Sequence, residues 1–185
     1  MARLDSLLAK YKETISAPWA TNIAAPQRVI FLVYDPTDEL RLRSRVEEFA
    51  LATKEAGHEW LRLDLSGAFA EWMGAHEYRQ AYFEDPSLLM LDNNGDLEGF
   101  TDYLIAKVRE EASGKAGPDA VFALTGIGSL FGCVHVSKLL EETKRSVEGR
   151  YLVFFPGDLR GNSYRLLDAR DGWNYLAMAI TADDY

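Results

Sequence analysis

A chain of 185 residues, 48% of them hydrophobic, suits one domain with a sizeable core and is too apolar for a disordered segment. Its formal net charge of −9 argues against a protein that grips nucleic acid through a basic face of its own. A single cysteine, Cys133, excludes an internal disulfide, and no apolar run approaches the ~20 residues that cross a bilayer.

The first 16 residues, MARLDSLLAKYKETIS, are too polar for a secretory signal, so a cytoplasmic location is expected. Leu4, Leu7, Leu8, Tyr11 and Ile15 recur at helical spacing, and Pro18 marks the end. They predict an amphipathic helix over 1–17 that packs on its own domain or against a partner. Arg28 to Tyr34 is a continuous apolar run, the mark of a strand covered on both faces. A helix follows Asp35-Pro36, with Leu42, Val46, Phe49, Ala50 and Thr53 on one side and Gly57 at its close. Trp60 to Leu65 alternates as a second strand.

A second amphipathic helix carries Phe69, Trp72, Met73 and His76. The Asp85-Pro86 break and a turn at Asp92-Asn93-Asn94-Gly95 precede a third, with Leu97, Phe100, Leu104 and Val108. Ala120 to Leu124 is a third strand, and a glycine-rich turn after it opens a helix ending near Lys144. Tyr151 to Phe155 is a fourth strand. Asp171-Gly172 then suits a hairpin turn between Tyr164–Leu167 and Asn174–Ile180. The expected architecture is a single α/β domain over 1–185: a three-layer sandwich with a mainly parallel central sheet and a C-terminal antiparallel hairpin at the edge.

Gly126, Gly128 and Ser129 follow a strand, where α/β proteins bind phosphate through free backbone N–H groups. The spacing is one residue longer than the dinucleotide fingerprint and has no Walker A lysine, so a tight turn with Ser129 as helix cap is the competing reading. Asp35 ends the first strand and is either a ligand or the cap of the next helix. His58, His76 and His135 show no zinc spacing. Cys133 and His135, two apart in the expected helix, point to different faces.

The acids Asp92 to Glu98 depart from a calcium loop, with glycine at the fourth position and Tyr103 where a bidentate glutamate is required. Glu71, Glu77, Glu84 and Asp85 flank an aromatic stretch. A metal-dependent nuclease would draw on Asp35, Glu71 and Glu84, yet solvated carboxylates are the simpler account. Trp72, Tyr78, Tyr82 and Phe83 form a candidate partner interface, with core packing as the alternative. Arg41, Arg43, Arg45, Arg160, Arg165 and Arg170 read as solvated positions or as grips for phosphate or carboxylate. No catalytic, cofactor or metal signature emerges.

Four phrases carry a resemblance: VYDPTDELRLRSRVEEFALATKEAGH, AFAEWMGAHEYRQAYFEDP, ALTGIGSLFGCVHVSKLLE and VFFPGDLRGNSYRLLDARDGWNYLAM. Together they resemble the BrxB family of BREX (bacteriophage exclusion) systems over nearly the whole chain. The resemblance implies antiviral defence: a small core component working through protein–protein contacts with a PglZ-type phosphatase-fold protein and an AAA-type ATPase. An adenine-specific DNA methyltransferase belongs to the same system, and DNA would be met only indirectly. The family has no established catalytic motif to carry over. A nucleotide-binding regulatory domain of the same system is the alternative.

Overall fold

The computed structural model describes residues 2–20, 22–167 and 172–182. Strands β1 (Val29–Tyr34), β2 (Glu59–Asp64), β3 (Ala120–Thr125), β4 (Arg150–Arg160) and β7 (Met178–Thr181) form a parallel sheet in the order β2-β3-β4-β1-β7. In register, Phe31 lies opposite Val153 on β4 and Ala179 on β7, and Leu124 on β3 also lies opposite Val153. Every residue of β1 and β3 is buried. That is why both read as unbroken apolar runs: a central parallel strand meets helices above and below.

The sheet separates two apolar layers. On one face Ile30, Leu32, Tyr34, Leu152 and Phe154 meet α1 (Ala2–Ser16) and α2 (Glu39–Glu55). On the other, Phe31, Val33, Phe122, Val153 and Phe155 meet α5 (Phe100–Ala112) and α6 (Val136–Thr143). The three-layer sandwich with a mainly parallel sheet is therefore present. Leu4, Leu7, Tyr11 and Ile15 of α1 are buried in this core, and the Tyr11 hydroxyl lies 2.6 Å from that of Thr53 on α2. The apolar face of the N-terminal helix thus packs on its own domain and is not open to a partner.

The antiparallel hairpin is present and grows from the middle of the sheet. β4 runs on past Phe155, and Gly157–Arg160 pair antiparallel with β5 (Ser163–Leu166), which pairs with β6 (Trp173–Asn174). Asp171 of the expected turn lies outside the described residues. Beyond Asn174 the chain does not continue the hairpin, as the sequence reading had it. It crosses back and closes the sheet as β7, parallel to β1. Tyr164, Trp173 and Tyr175 pack their rings on Phe31, with centroids 4.4–5.7 Å away. The segment thus acts as a lid on the α5/α6 face where a further helix would otherwise lie.

The connection leaving β1 runs toward β2, and that leaving β4 runs toward β7. Neighbouring strands whose connections depart in opposite directions leave a crevice outside their carboxyl ends, the usual ligand position in open α/β sheets. The other departure lies between β2 and α5. There the chain makes two short helices, α3 (Ala68–Ala75) and α4 (Arg79–Glu84), then a 3-10 turn at Pro86–Leu88, before α5 returns to the core.

Candidate functional site

The carboxyl-end crevice is a cavity of about 310 Å³ lined by Arg3, Tyr34, Asp35, Asp38, Asp158 and Thr181 among others. Its carboxylates are already occupied. Asp35 accepts from the Thr37 backbone N–H at 2.9 Å and the Thr37 hydroxyl at 2.7 Å, and pairs with Arg3 at 2.9 Å. The Thr37 bonds foremost, then Arg3, hold its carboxyl below the usual range. It caps the 3-10 turn Pro36–Asp38, because Asp before Pro satisfies the first free N–H groups. Asp38 faces Arg41 at 3.3 Å. Asp158 takes a two-pronged grip from Arg165 at 3.2 and 2.7 Å, and its carboxyl also lies low, Arg165 being the main cause. Asp64, at the end of β2, is pushed up by burial, yet the Ser66 bonds, Arg62 and Arg43 bring it below the ordinary value.

Arg43 and Arg165 therefore bind the protein's own carboxylates. Arg45 likewise pairs with Asp5 and Glu48. Arg170 lies outside the described residues.

Gly126, Gly128 and Ser129 also sit at this end, around a cavity of about 280 Å³ with Arg43 and Ser66 on its wall. The helix expected to open here does not. Gly126 (φ +76°) leads into one 3-10 turn, Ile127–Leu130, and α6 starts only at Val136 after a second left-handed glycine, Gly132. Ser129 is not a helix cap: its hydroxyl lies 2.7 Å from the Gly126 carbonyl, to which it donates. A Cβ on Gly126 would stand 2.4 Å from Ser66 N and 2.7 Å from Asp64 Oδ1. Here the glycine is required by the close approach of the β2 loop, and the carboxylate beside it opposes a phosphate.

A different arrangement lies at α3, α4 and the following turn. A groove of about 580 Å³ is lined by Trp72, His76, Tyr78, Tyr82, Leu88 and Met90, with Glu77 and Glu98 on its wall. Trp72 is half-buried against Phe69 and Phe100, with ring centroids 5.9 and 5.1 Å away. Tyr82 lies 5.0 Å from the His76 ring. Tyr78 (59%) and Phe83 (65%) are exposed. The four aromatics of the sequence reading thus share one region, Trp72 anchored on the core, Tyr82 half-buried beside His76, and two facing solvent. Leu88, Met90 and Leu91 extend the exposed apolar surface, Met90 to 65%. Their only sequence signal was the run Leu88-Leu89-Met90-Leu91 after Pro86, which fits neither helical nor strand periodicity.

The three histidines lie in three places. His58 stacks on Trp19 at 3.7 Å, His76 joins the groove, and His135 precedes α6. Asp96, with no exposed side-chain surface, accepts from the His135 backbone N–H at 2.7 Å and meets His135 Nδ1 at 2.6 Å, with Lys138 at 3.3 Å. An ionised carboxylate only accepts, so Nδ1 carries the proton. Sequence reading missed this cluster, since its members lie 39 and 42 positions apart.

Cys133 is in a turn rather than a helix, and burial pushes its thiol up, away from a reactive thiolate. Asp92 accepts from the Asn94 and Asp96 N–H groups, the turn preferred over a calcium loop. Glu71 pairs with Lys107 while Asp35 pairs with Arg3, so the nuclease carboxylates are not gathered. Among the described residues no three His, Cys, Asp or Glu side chains are placed to hold a metal ion, and no helix is long and apolar enough to cross a membrane.

Comparison with protein-family models, curated proteins and solved structures gave no match.

Proposed function

We propose that this protein is a non-enzymatic adaptor that acts by holding other proteins. The setting proposed from the BrxB resemblance is a bacteriophage-exclusion complex, with the PglZ-type protein and the AAA-type ATPase as partners. One observation carries the reading: a groove whose Trp72 is anchored in the core while its Tyr78, Leu88 and Met90, with the neighbouring Phe83 and Leu91, stand in solvent. Exposed apolar groups that cluster beside a cavity mark contact surfaces, whereas scattered ones need no explanation. Rigid aromatic anchors in such a patch have the character of interface hot spots.

Co-purification with the proposed partners tests the reading. Trp72 packs on Phe69 and Phe100, so truncating it would also disturb the fold. The exposed pair Phe83→Ser/Met90→Ser isolates the surface. Recovery of at least one partner is expected to drop by about tenfold or more. Unchanged recovery of every partner contradicts the adaptor role of this surface.

The second reading, a nucleotide-binding regulator, draws on the position of Gly126, Gly128 and Ser129 at the carboxyl ends of the strands, with Arg43 nearby. Calorimetry with ATP, GTP and S-adenosylmethionine separates the two. The adaptor reading expects no heat of binding, and saturable heat abolished by Arg43→Ala would favour the regulator.

A further inference from the structure

We infer that the occupant of this groove is a basic amphipathic helix presented by a partner protein. The inference rests on the adaptor reading and adds the chemistry of the partner. The apolar floor is formed by Trp72, Tyr82, Leu88, Leu89 and Met90. Glu77 and Glu98 line it, Glu84 and Asp85 follow at the end of α4, and among the described residues none of these four carboxylates forms an ion pair. Glu84 accepts from the Gln80 amide, and Asp85 from the Ser87 backbone and hydroxyl. Between positions 76 and 98 the sequence holds one lysine or arginine, Arg79, whose guanidinium donates to the Gly74 carbonyl at 2.8 Å. Asp35, Asp64, Glu48 and Asp158 each meet an arginine, whereas Glu13, Glu55, Glu59 and Asp102 form no ion pair among the described residues but lie apart from any such groove. An apolar groove rimmed by unneutralised carboxylates is complementary to a ligand with an apolar face and cationic flanks.

The local backbone selects a helix over a strand. Leu91 bridges Leu97, the Glu98 N–H donates to the Met90 carbonyl, and the Asp92 N–H donates to the Asp96 carbonyl. Residues 90–98 pair with one another, so recognition falls to side chains entering a groove rather than to strand addition. A second copy of this chain would bring the same carboxylates face to face. An anionic membrane would meet the same repulsion. A basic helix suffers neither.

Two labelled peptides of about five helical turns, with the same leucine face and either lysine or glutamate on the polar face, test this by fluorescence anisotropy against the full chain. The lysine peptide is expected to bind at least about tenfold more tightly than the glutamate peptide, and more weakly at about 200 mM than at about 50 mM salt. Phe83→Ser/Met90→Ser is expected to weaken it by about tenfold. Glu84→Gln/Glu98→Gln is expected to weaken it by about threefold and to flatten the salt dependence.

Equal affinity for the two peptides overturns the inference. So does lysine-peptide binding that is indifferent to Phe83→Ser/Met90→Ser, which would be charge attraction to an acidic protein at large. Binding to phosphatidylserine vesicles without any peptide binding also overturns it. The two failures are distinguishable. If neither peptide binds but Phe83→Ser/Met90→Ser still loses partners, the adaptor stands and the basic-helix inference falls. If the lysine peptide binds at the groove but every partner is recovered with that variant, the adaptor reading falls and the chemistry of the groove stands.

Discussion

The crevice at the carboxyl ends of the strands and the groove beside α4 are of the same order of size, about 310 and about 580 Å³, but they treat charge in opposite ways. In the crevice each carboxylate has an arginine: Asp35 with Arg3, Asp38 with Arg41, Asp158 with Arg165. In the groove the carboxylates have no cation partner among the described residues, and large apolar side chains stand in solvent. The topology makes the crevice the customary place for chemistry. Internal pairing there stabilises the loops, and the unsatisfied groups lie elsewhere. A binding surface is better sought where hydrogen bonds, charges and apolar area remain open than where the fold family usually puts one.

That contrast predicts different mutational costs. The largest is Gly126→Ala. The new Cβ would strike the Ser66 backbone at 2.4 Å and the residue would need a left-handed conformation. A loss of about 4 kcal/mol in urea unfolding is expected from overpacking plus backbone strain. A loss below about 1 kcal/mol would show that the β2 loop yields, and that the crevice is looser than described. Next comes Asp96→Ala, which removes the acceptor for His135 and Lys138 from a fully buried position. About 2–3 kcal/mol is expected, since two donors lose a buried charged partner.

A pH series sharpens the same point. Asp96 is pushed up by burial but pulled lower by His135 and Lys138, while Asp35 and Asp158 are lowered chiefly by Thr37 and Arg165. Their folded values lie below the unfolded value of about 3.9, so protonation favours the unfolded chain. Stability from these groups is complete above about pH 4 and is lost as pH falls through their folded values. The urea midpoint should therefore drop steeply below about pH 4, and less steeply in Asp96→Ala. An equal slope in the variant would remove Asp96 from the account. The smallest effect is expected in the groove. Phe83→Ser/Met90→Ser changes two side chains that are mostly exposed and should shift stability by no more than about 0.5 kcal/mol. A larger loss would mean that these side chains serve the fold.

Legibility in the sequence followed the range of the interactions. β1 and β3 were evident because two-sided burial demands an unbroken apolar run, and α2 because Leu42, Val46, Phe49 and Thr53 share one buried side. The place of β7 was not, since Met178–Thr181 is four residues long and docks on β1 through contacts nearly 150 positions apart. The late start of α6 escaped because a glycine turn after a strand has the same local pattern whether an α-helix or one 3-10 turn follows. Trp72, Tyr78, Tyr82 and Phe83 were found from aromatic density, and Glu77, Glu84 and Asp85 were read beside them, but their lack of cations and the place of Glu98 were not. Glu77, Glu84, Asp85 and Glu98 look like any solvated acids until the structure shows that no cation reaches them among the described residues.

Hydrogen exchange of the full chain, alone and with the proposed PglZ-type partner, compares the two regions in one experiment. The account predicts slowed exchange across 76–98, with the loops at 35–38, 126–130 and 157–166 unchanged. Protection confined to those three loops, with 76–98 exchanging as in the free protein, would place the working surface in the crevice and contradict it.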